Sequence, residues 1–183
     1  MAPAMPSRPQ LSDAVTERAA RIRVAVFDVD GVLTDGRILL GDDGYEYKAF
    51  HTHDGHGLRL LGDAGIERAI ITGRTSVLVA RRMEELGIRH VVQGRRDKGA
   101  AFDELLERLG VARAEAAYVG DDDVDVPALL RAGLAVAVAS ATPWTCAHAH
   151  WITQAPGGAG AAREVAEGLL AAQGRLDELR PQG

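Results

Sequence analysis

The sequence predicts an α/β fold of the doubly wound kind: a Rossmann-like parallel sheet with helices on both faces, and a small β-hairpin beside the cleft mouth. Three observations carry this. Short apolar runs alternate with stretches of helical periodicity from residue 22 onward, the pattern that sets parallel strands side by side with crossover helices between them. Hydrophobic residues make up 46% of the 183, enough for one buried core in one domain. Acidic and small polar residues recur where the apolar runs stop, and in a parallel sheet those ends share one edge, where ligands bind.

Taken in order, residues 1–10 hold three prolines and no apolar segment, and read as a disordered lead-in and not a signal peptide. A short polar helix follows near 12–20. The apolar run 22–27, stopped by Asp and Gly, reads as a buried strand opening into a loop. Segments 37–40 and 45–50 flank the turn-rich Gly41-Asp-Asp-Gly44 and read as the hairpin. Further strands are expected at 68–72, 90–93, 117–120, 134–139 and 151–153, with helices at about 55–64, 76–86, 98–109, 124–132 and 160–173. The domain boundaries follow: a lead-in over 1–20, one domain over 21–175, and a tail over 176–183.

Composition removes several function classes. The formal net charge is −5 with scattered arginines, so non-specific binding to nucleic acid is not favoured. No run is long and apolar enough to suggest a membrane span. The single cysteine, Cys146, permits no internal disulfide, agrees with a reducing compartment, and has uncharged neighbours in Thr145 and Ala147. The expected location is the cytoplasm.

Asp28-Val-Asp-Gly-Val-Leu-Thr-Asp35 is the most informative stretch. In the extended backbone leaving a strand, residues i and i+2 point the same way, so Asp28 and Asp30 face one cleft. Thr72-Gly-Arg74, Asp97-Lys98 and Gly120-Asp-Asp-Asp-Val-Asp125 end or follow later strands. Each alone is explained by turns and helix caps. Together, at one sheet edge, they form a site for a phosphate monoester. A carboxylate attacks such a dianion only when a hard cation and positive donors offset the repulsion. Several aspartates without a Cys or His ligand set suit Mg²⁺, held by Asp28, Asp121 and either Asp122 or Asp125. Thr72 and the backbone N–H groups after it suit phosphoryl oxygens, Lys98 adds a compact positive charge, Asp28 is the candidate nucleophile and Asp30 the acid/base.

These four motifs, in this order, resemble those of the haloacid dehalogenase superfamily of phosphatases. The closer resemblance is to the 3-deoxy-D-manno-octulosonate 8-phosphate phosphatase family, carried by Lys48-Ala-Phe50, Asp54-Gly-His-Gly57 and Gly157-Gly-Ala-Gly-Ala-Ala-Arg-Glu-Val165. It implies Asp28 as nucleophile and Mg²⁺ ligand, Asp30 as acid/base ligating through its carbonyl, and Asp121 as the third protein ligand, with Asp122 and Asp125 behind them. It also implies a substrate site lined by Asp30, His51, Thr52, His53, Asp54, Gly55, Arg59, Thr72, Gly73, Arg74, Arg82 and Lys98. The implied substrate is a small sugar-acid phosphate. His53 and Ala159 stand where the family commonly carries Arg, which keeps a nine-carbon keto-sugar acid phosphate open as an alternative.

Only the hairpin and one helix separate Asp30 from Thr72, so no cap domain fits there. In the resembling family, neighbouring subunits of a homotetramer complete the site instead. The glycine-rich segment before the last helix reads either as a flexible arm or as a loop entering the helix. His51-Thr-His-Asp-Gly-His56 is displaced by one residue from a two-metal H-x-H-x-D-H signature, with only His90, His148 and His150 left as distant ligands. A non-catalytic receiver-like or sugar-phosphate-binding module is the alternative from another class. Asp28 on the first strand with Asp30 beside it argues for hydrolysis.

Overall fold

The computed structural model describes residues 11–42 and 44–179. Its chain order is α1 (Asp13–Ala19), β1 (Val24–Phe27), a hairpin of β2 (Leu39–Leu40) and β3 (Glu46–Tyr47), α2 (Thr52–Asp63), β4 (Glu67–Ile71), α3 (Val77–Glu85), β5 (His90–Val92), α4 (Lys98–Leu109), β6 (Ala116–Gly120), α5 (Val126–Leu129), β7 (Leu134–Ala137), α6 (Pro143–Ala147), β8 (Trp151–Ile152) and α7 (Ala161–Ala172). Six strands form one sheet in the order β5-β4-β1-β6-β7-β8, every neighbouring pair parallel, and β2-β3 form a separate antiparallel pair. This is the α/β sheet that the alternating runs predict.

The central strands are apolar on both faces because helices cover both. Ala25 and Phe27 of β1 join the core under α1, α2, α3 and α7, while Val24 and Val26 join the core under α4 and α5. Ala117 and Val119 of β6 divide from Ala116 and Tyr118 in the same way. On α4, Phe102, Leu105 and Leu106 present one stripe to the second core, Asp97 caps the N-terminus through Ala100 N–H at 3.0 Å, and Gly110 ends the helix at φ +62°.

The structure differs from the sequence reading in several places. The packed unit is wider than 21–175, since Val15, Ala19 and Leu176 lie in the first core with Leu11 and Leu179 against it. The expected disordered lead-in at 1–10 lies outside the described residues, as does the tail beyond 179. Helix α2 begins at Thr52, ahead of Gly55, because the His51 ring accepts from His53 N–H at 3.2 Å and acts as N-cap. The expected helix 124–132 divides into a 3₁₀ turn, Asp123–Asp125, and the short α5. Helix α6 was not foreseen, although Thr142 followed by Pro143 is a helix start. Of the two readings of the glycine-rich segment, the structure shows a loop entering the helix and docked on the loop after β1: Gly158 N–H donates to the Val32 carbonyl at 2.9 Å, and a Cβ on Gly157 would lie 1.7 Å from the Gly31 oxygen. Among the described residues no helix is long and apolar enough to cross a membrane.

Candidate active site

Asp28 leaves β1 still hydrogen-bonded to β6, its N–H donating to the Val119 carbonyl at 3.0 Å, so the nucleophile candidate is set by the sheet itself. The following loop turns back on Thr34, whose buried hydroxyl donates to the Val29 carbonyl and accepts from Gly31 and Gly36 N–H, each at 3.3 Å. Gly31, at φ +93°, lets that loop pass Asp121: a Cβ there would sit 2.0 Å from Asp121 Oδ2. Asp121 itself follows the last residue of β6, and Thr72 the last residue of β4. The strand ends therefore gather Asp28, Asp30, Thr72, Gly73, Arg74, Lys98, Asp121 and Asp122 around one open cleft of about 280 Å³, with Gly36 and Val124 on its rim.

At the floor, charges are tightly linked. Lys98 Nζ lies 2.7 Å from Asp28 Oδ2 and 2.7 Å from Asp125 Oδ1. Asp125 is fully buried and saturated, with Oδ1 also accepting from the Tyr118 hydroxyl at 2.7 Å and Oδ2 from Asp121 and Asp122 N–H at 3.0 and 3.2 Å. By contrast, Asp28 Oδ1 and Asp121 Oδ1 are buried without a partner. Buried carboxylate oxygens without donors are costly. Burial, with the Asp125 charge added to it, pushes the Asp28 carboxyl up to about 7 against the opposing pull of Lys98. Burial, then Asp125 and Asp28, push Asp121 up to about 7 as well. Burial alone would lower Lys98, but Asp28 and Asp125 outweigh it and raise it.

This donor set fits a hard divalent cation. Asp28, Asp121 and Asp125 each offer an oxygen within 4.8 Å of the others. Asp125 already accepts four hydrogen bonds, from Lys98, Tyr118 and the Asp121 and Asp122 N–H groups, so the two orphaned oxygens of Asp28 and Asp121 are the ones that could take such a cation. Asp122 caps the adjoining turn through Asp123 N–H at 2.8 Å.

The expected substrate-site residues divide. Asp30, Thr72, Gly73, Arg74 and Lys98 line the cleft. His51, Asp54, Gly55 and Arg82 line a much smaller apolar pit with Phe50 and Met83. Asp54 is buried there and also caps α7, its two oxygens accepting from Gly160 N–H at 3.2 Å and Arg163 N–H at 2.8 Å. Arg59 is exposed and does not line the cleft; one of its Nη atoms donates to the Glu85 carbonyl at 3.2 Å near the end of α3. Thr52 and His53 are exposed on the first turn of α2, the His53 ring edge-on to His51 at 4.9 Å. Arg82 lies 6.0 Å from the Phe50 ring centroid, its Nε buried without a partner. Of the distant histidines weighed for zinc, His150 accepts from Ala135 N–H at 2.9 Å and His148 is 2.8 Å from the Trp144 carbonyl.

Sequence reasoning did not single out Tyr118, Thr34, Glu46 or Lys48 as site residues. Lys48 Nζ contacts Asp30 Oδ1 and lies 3.1 Å from Glu46 Oε1, while Glu46 Oε2 holds Arg74 at 2.9 Å. The available signal was the i, i+2 spacing of Glu46 and Lys48 on the hairpin arm, which puts both on one face.

The haloacid dehalogenase-like hydrolase family matches residues 87–164. The 3-deoxy-D-manno-octulosonate 8-phosphate phosphatase of Escherichia coli K12 is 49% identical over 168 residues, 92% of this chain and 89% of that protein. The crystal structure of the Yersinia pestis phosphatase of the same name superposes with a TM-score of 0.90 at 46% identity, covering 91% of this chain and 90% of that one. The Moraxella catarrhalis phosphatase, solved in complex with magnesium ion, phosphate ion and KDO, gives a TM-score of 0.90 at 42% identity over 92% of this chain and 97% of that one.

Proposed function

The chain belongs to the 3-deoxy-D-manno-octulosonate 8-phosphate phosphatases of the haloacid dehalogenase-like hydrolases, and from that membership we propose that it hydrolyses this sugar-acid phosphate, through Asp28, to the free sugar acid and orthophosphate. The observation that carries the reading is the convergence of Asp28, Lys98, Asp121 and Asp125 at one sheet edge with two buried carboxylate oxygens left for a cation. Magnesium, held by Asp28 and Asp121 with the Asp30 carbonyl, supplies positive charge that offsets repulsion between the nucleophile and a phosphate dianion. Lys98 holds one Asp28 oxygen and places its ammonium beside the incoming phosphoryl group. Thr72 and Gly73 offer a hydroxyl and backbone N–H groups to the remaining phosphoryl oxygens. Asp28 attacks phosphorus, the bond to the sugar oxygen breaks, and that oxygen takes the proton carried by Asp30. Asp30 then accepts a proton from the water that hydrolyses the aspartyl-phosphate, restoring the Asp28 carboxylate.

We also propose a homotetramer in the cytoplasm. The cleft is open, and the hairpin beside it exposes Ile38, Leu39, Leu40, Tyr45 and Tyr47, an apolar surface suited to a neighbouring subunit. Such a neighbour would complete a substrate site that one chain leaves divided, with Thr52, His53 and Arg82 away from the cleft. A nine-carbon keto-sugar acid phosphate is the second reading, favoured by His53 and Ala159, which withhold two cations from the region. Phosphate release across a panel of sugar phosphates, with magnesium and with chelator, tests the reaction, its metal and its substrate. The eight-carbon sugar-acid phosphate is expected to turn over fastest, chelator to stop release, and Asp28→Asn to abolish it with the fold intact. Release insensitive to chelator, or retained by Asp28→Asn, overturns the mechanism.

A further inference from the structure

Beyond the strand-end motifs, the hairpin itself reaches the reacting centre. Glu46 and Lys48 share the inner face of its second arm, while Tyr45 and Tyr47 on the other face are exposed. Lys48 is the notable member, because its side chain retains only 2% of its exposure although the arm that carries it lies outside the main sheet. Its ammonium contacts Asp30 Oδ1 and lies 3.1 Å from Glu46 Oε1, and Glu46 Oε2 lies 2.9 Å from Arg74 Nη2. Charges therefore alternate in one chain, Asp30, Lys48, Glu46, Arg74, running from the loop after β1 through the hairpin to the loop after β4.

A lysine buried to this extent is held by its charged neighbours, and removing it leaves a carboxylate without its partner. We propose that Lys48 is a positioning residue for the reaction: it fixes Asp30 by Oδ1 so that Oδ2 faces the leaving-group oxygen, and Glu46 holds Lys48 in that place. The proposal rests on the reading of Asp28 and Asp30 given above. In the step concerned, an Asp28 oxygen bonds to phosphorus as the ester P–O bond breaks. The electron pair stays on the departing oxygen, which takes the proton from Asp30 Oδ2 and leaves as the alcohol. With Lys48 absent, Asp30 can rotate about its side-chain bonds, and misplaced general acids lose much of a contribution that is on the order of 10²–10⁴ in rate.

The leaving group separates this role from a structural one. An alkoxide departs only with a proton, whereas p-nitrophenolate departs without one, and kcat/KM reports the steps through that departure. For Lys48→Met we expect kcat/KM for glycerol phosphate to fall about 10- to 100-fold and that for p-nitrophenyl phosphate to fall less than about threefold, with Lys48→Arg recovering part of the loss. Glu46→Gln, which keeps Lys48 in the chain but loosens it, should show the same selectivity at smaller size, and stands in if Lys48→Met fails to fold. An equal fall for both esters, or none for either, overturns the proposal. If Asp28→Asn is inactive while Lys48→Met is unselective, only this inference fails; if Asp28→Asn still turns over, the phosphatase mechanism beneath it fails.

Discussion

Gly31→Ala tests the site at its tightest point. An alanine Cβ would lie 2.0 Å from Asp121 Oδ2, 2.4 Å from its Cγ and 2.9 Å from its Oδ1. Carbon and oxygen not bonded to each other rest no closer than about 3.3 Å, so the carboxylate must retreat by roughly 1 Å or more. The backbone at φ +93° adds strain of about 1–3 kcal/mol, because a side chain there is rarely tolerated. Magnesium accepts oxygen ligands only near 2.1 Å in close to octahedral arrangement, and a ligand displaced by roughly 1 Å is lost to it. The magnesium concentration for half-maximal phosphate release should therefore rise about 10- to 100-fold, comparable with losing a supporting contact in other metal sites. A magnesium titration of phosphate release, paired with thermal unfolding at each concentration, reads both effects. Half-saturation within twofold of the parent protein, in a variant that is folded, would refute the assignment of Asp121 as a ligand held against Gly31.

Three other outcomes follow from the same geometry. Asp28 and Asp121 sit at about 7 in the folded, metal-free protein against an ordinary 3.8, so the stability they contribute is complete below about pH 4 and is lost as pH rises through 7. Calorimetry in chelator should show Tm falling across that window, less steeply in Asp121→Asn, with magnesium stabilising most above pH 7; a profile unaltered by Asp121→Asn counts against it. Asp54→Ala removes the cap of α7 and should cost about 1–2 kcal/mol, or several degrees in Tm, while kcat/KM at 20 °C changes little; a large loss of kcat/KM without loss of stability would instead place Asp54 in the substrate site. Tyr118→Phe removes a donor from Asp125 and should lower kcat about fivefold or more while leaving the esters equally affected, in contrast to Lys48→Met. Selectivity between esters in Tyr118→Phe would show that its contact reaches Asp30.

Much of the site is legible because a parallel sheet converts sequence order into spatial convergence. Each strand that ends in a polar residue delivers it to the same edge, so Asp28, Thr72 and Asp121 are found by locating strand ends, and Lys98 by the helix that follows one. What escapes is decided by side chains reaching sideways. Asp54 stands in a motif next to the hairpin, yet it binds the N-terminus of α7, more than a hundred residues later, and nothing local distinguishes a capping carboxylate from a ligand-facing one. Tyr118 lies within an apolar strand and reads as core. Lys48 and Glu46 read as solvated hairpin charges until the hairpin's tilt against the cleft is known. The short α5 and the 3₁₀ turn before it read as one helix in the sequence because the apolar period runs through both, while the hydrogen bonds from Asp121 and Asp122 N–H to Asp125 pull the first turn tight.

The electrostatics of the floor also imply an order of events. Asp28, Asp121 and Asp125 against Lys98 leave a formal charge of −2 within a few ångströms, three acids less one base. The hairpin chain adds no negative charge to this, since Lys48 and Arg74 offset Glu46 and Asp30 even when Asp30 is ionised. A phosphate dianion approaching that floor meets repulsion that Lys98 cannot offset, as its ammonium is already divided between two carboxylates. A divalent cation brings the floor to neutrality and satisfies both orphaned oxygens, so the dianion no longer meets a net negative charge there. Below about pH 7 protons compete for the same two carboxyls, which relieves the repulsion but consumes the nucleophile. Metal before phosphate is thus the sequence the charges favour, and acidification is no substitute for it.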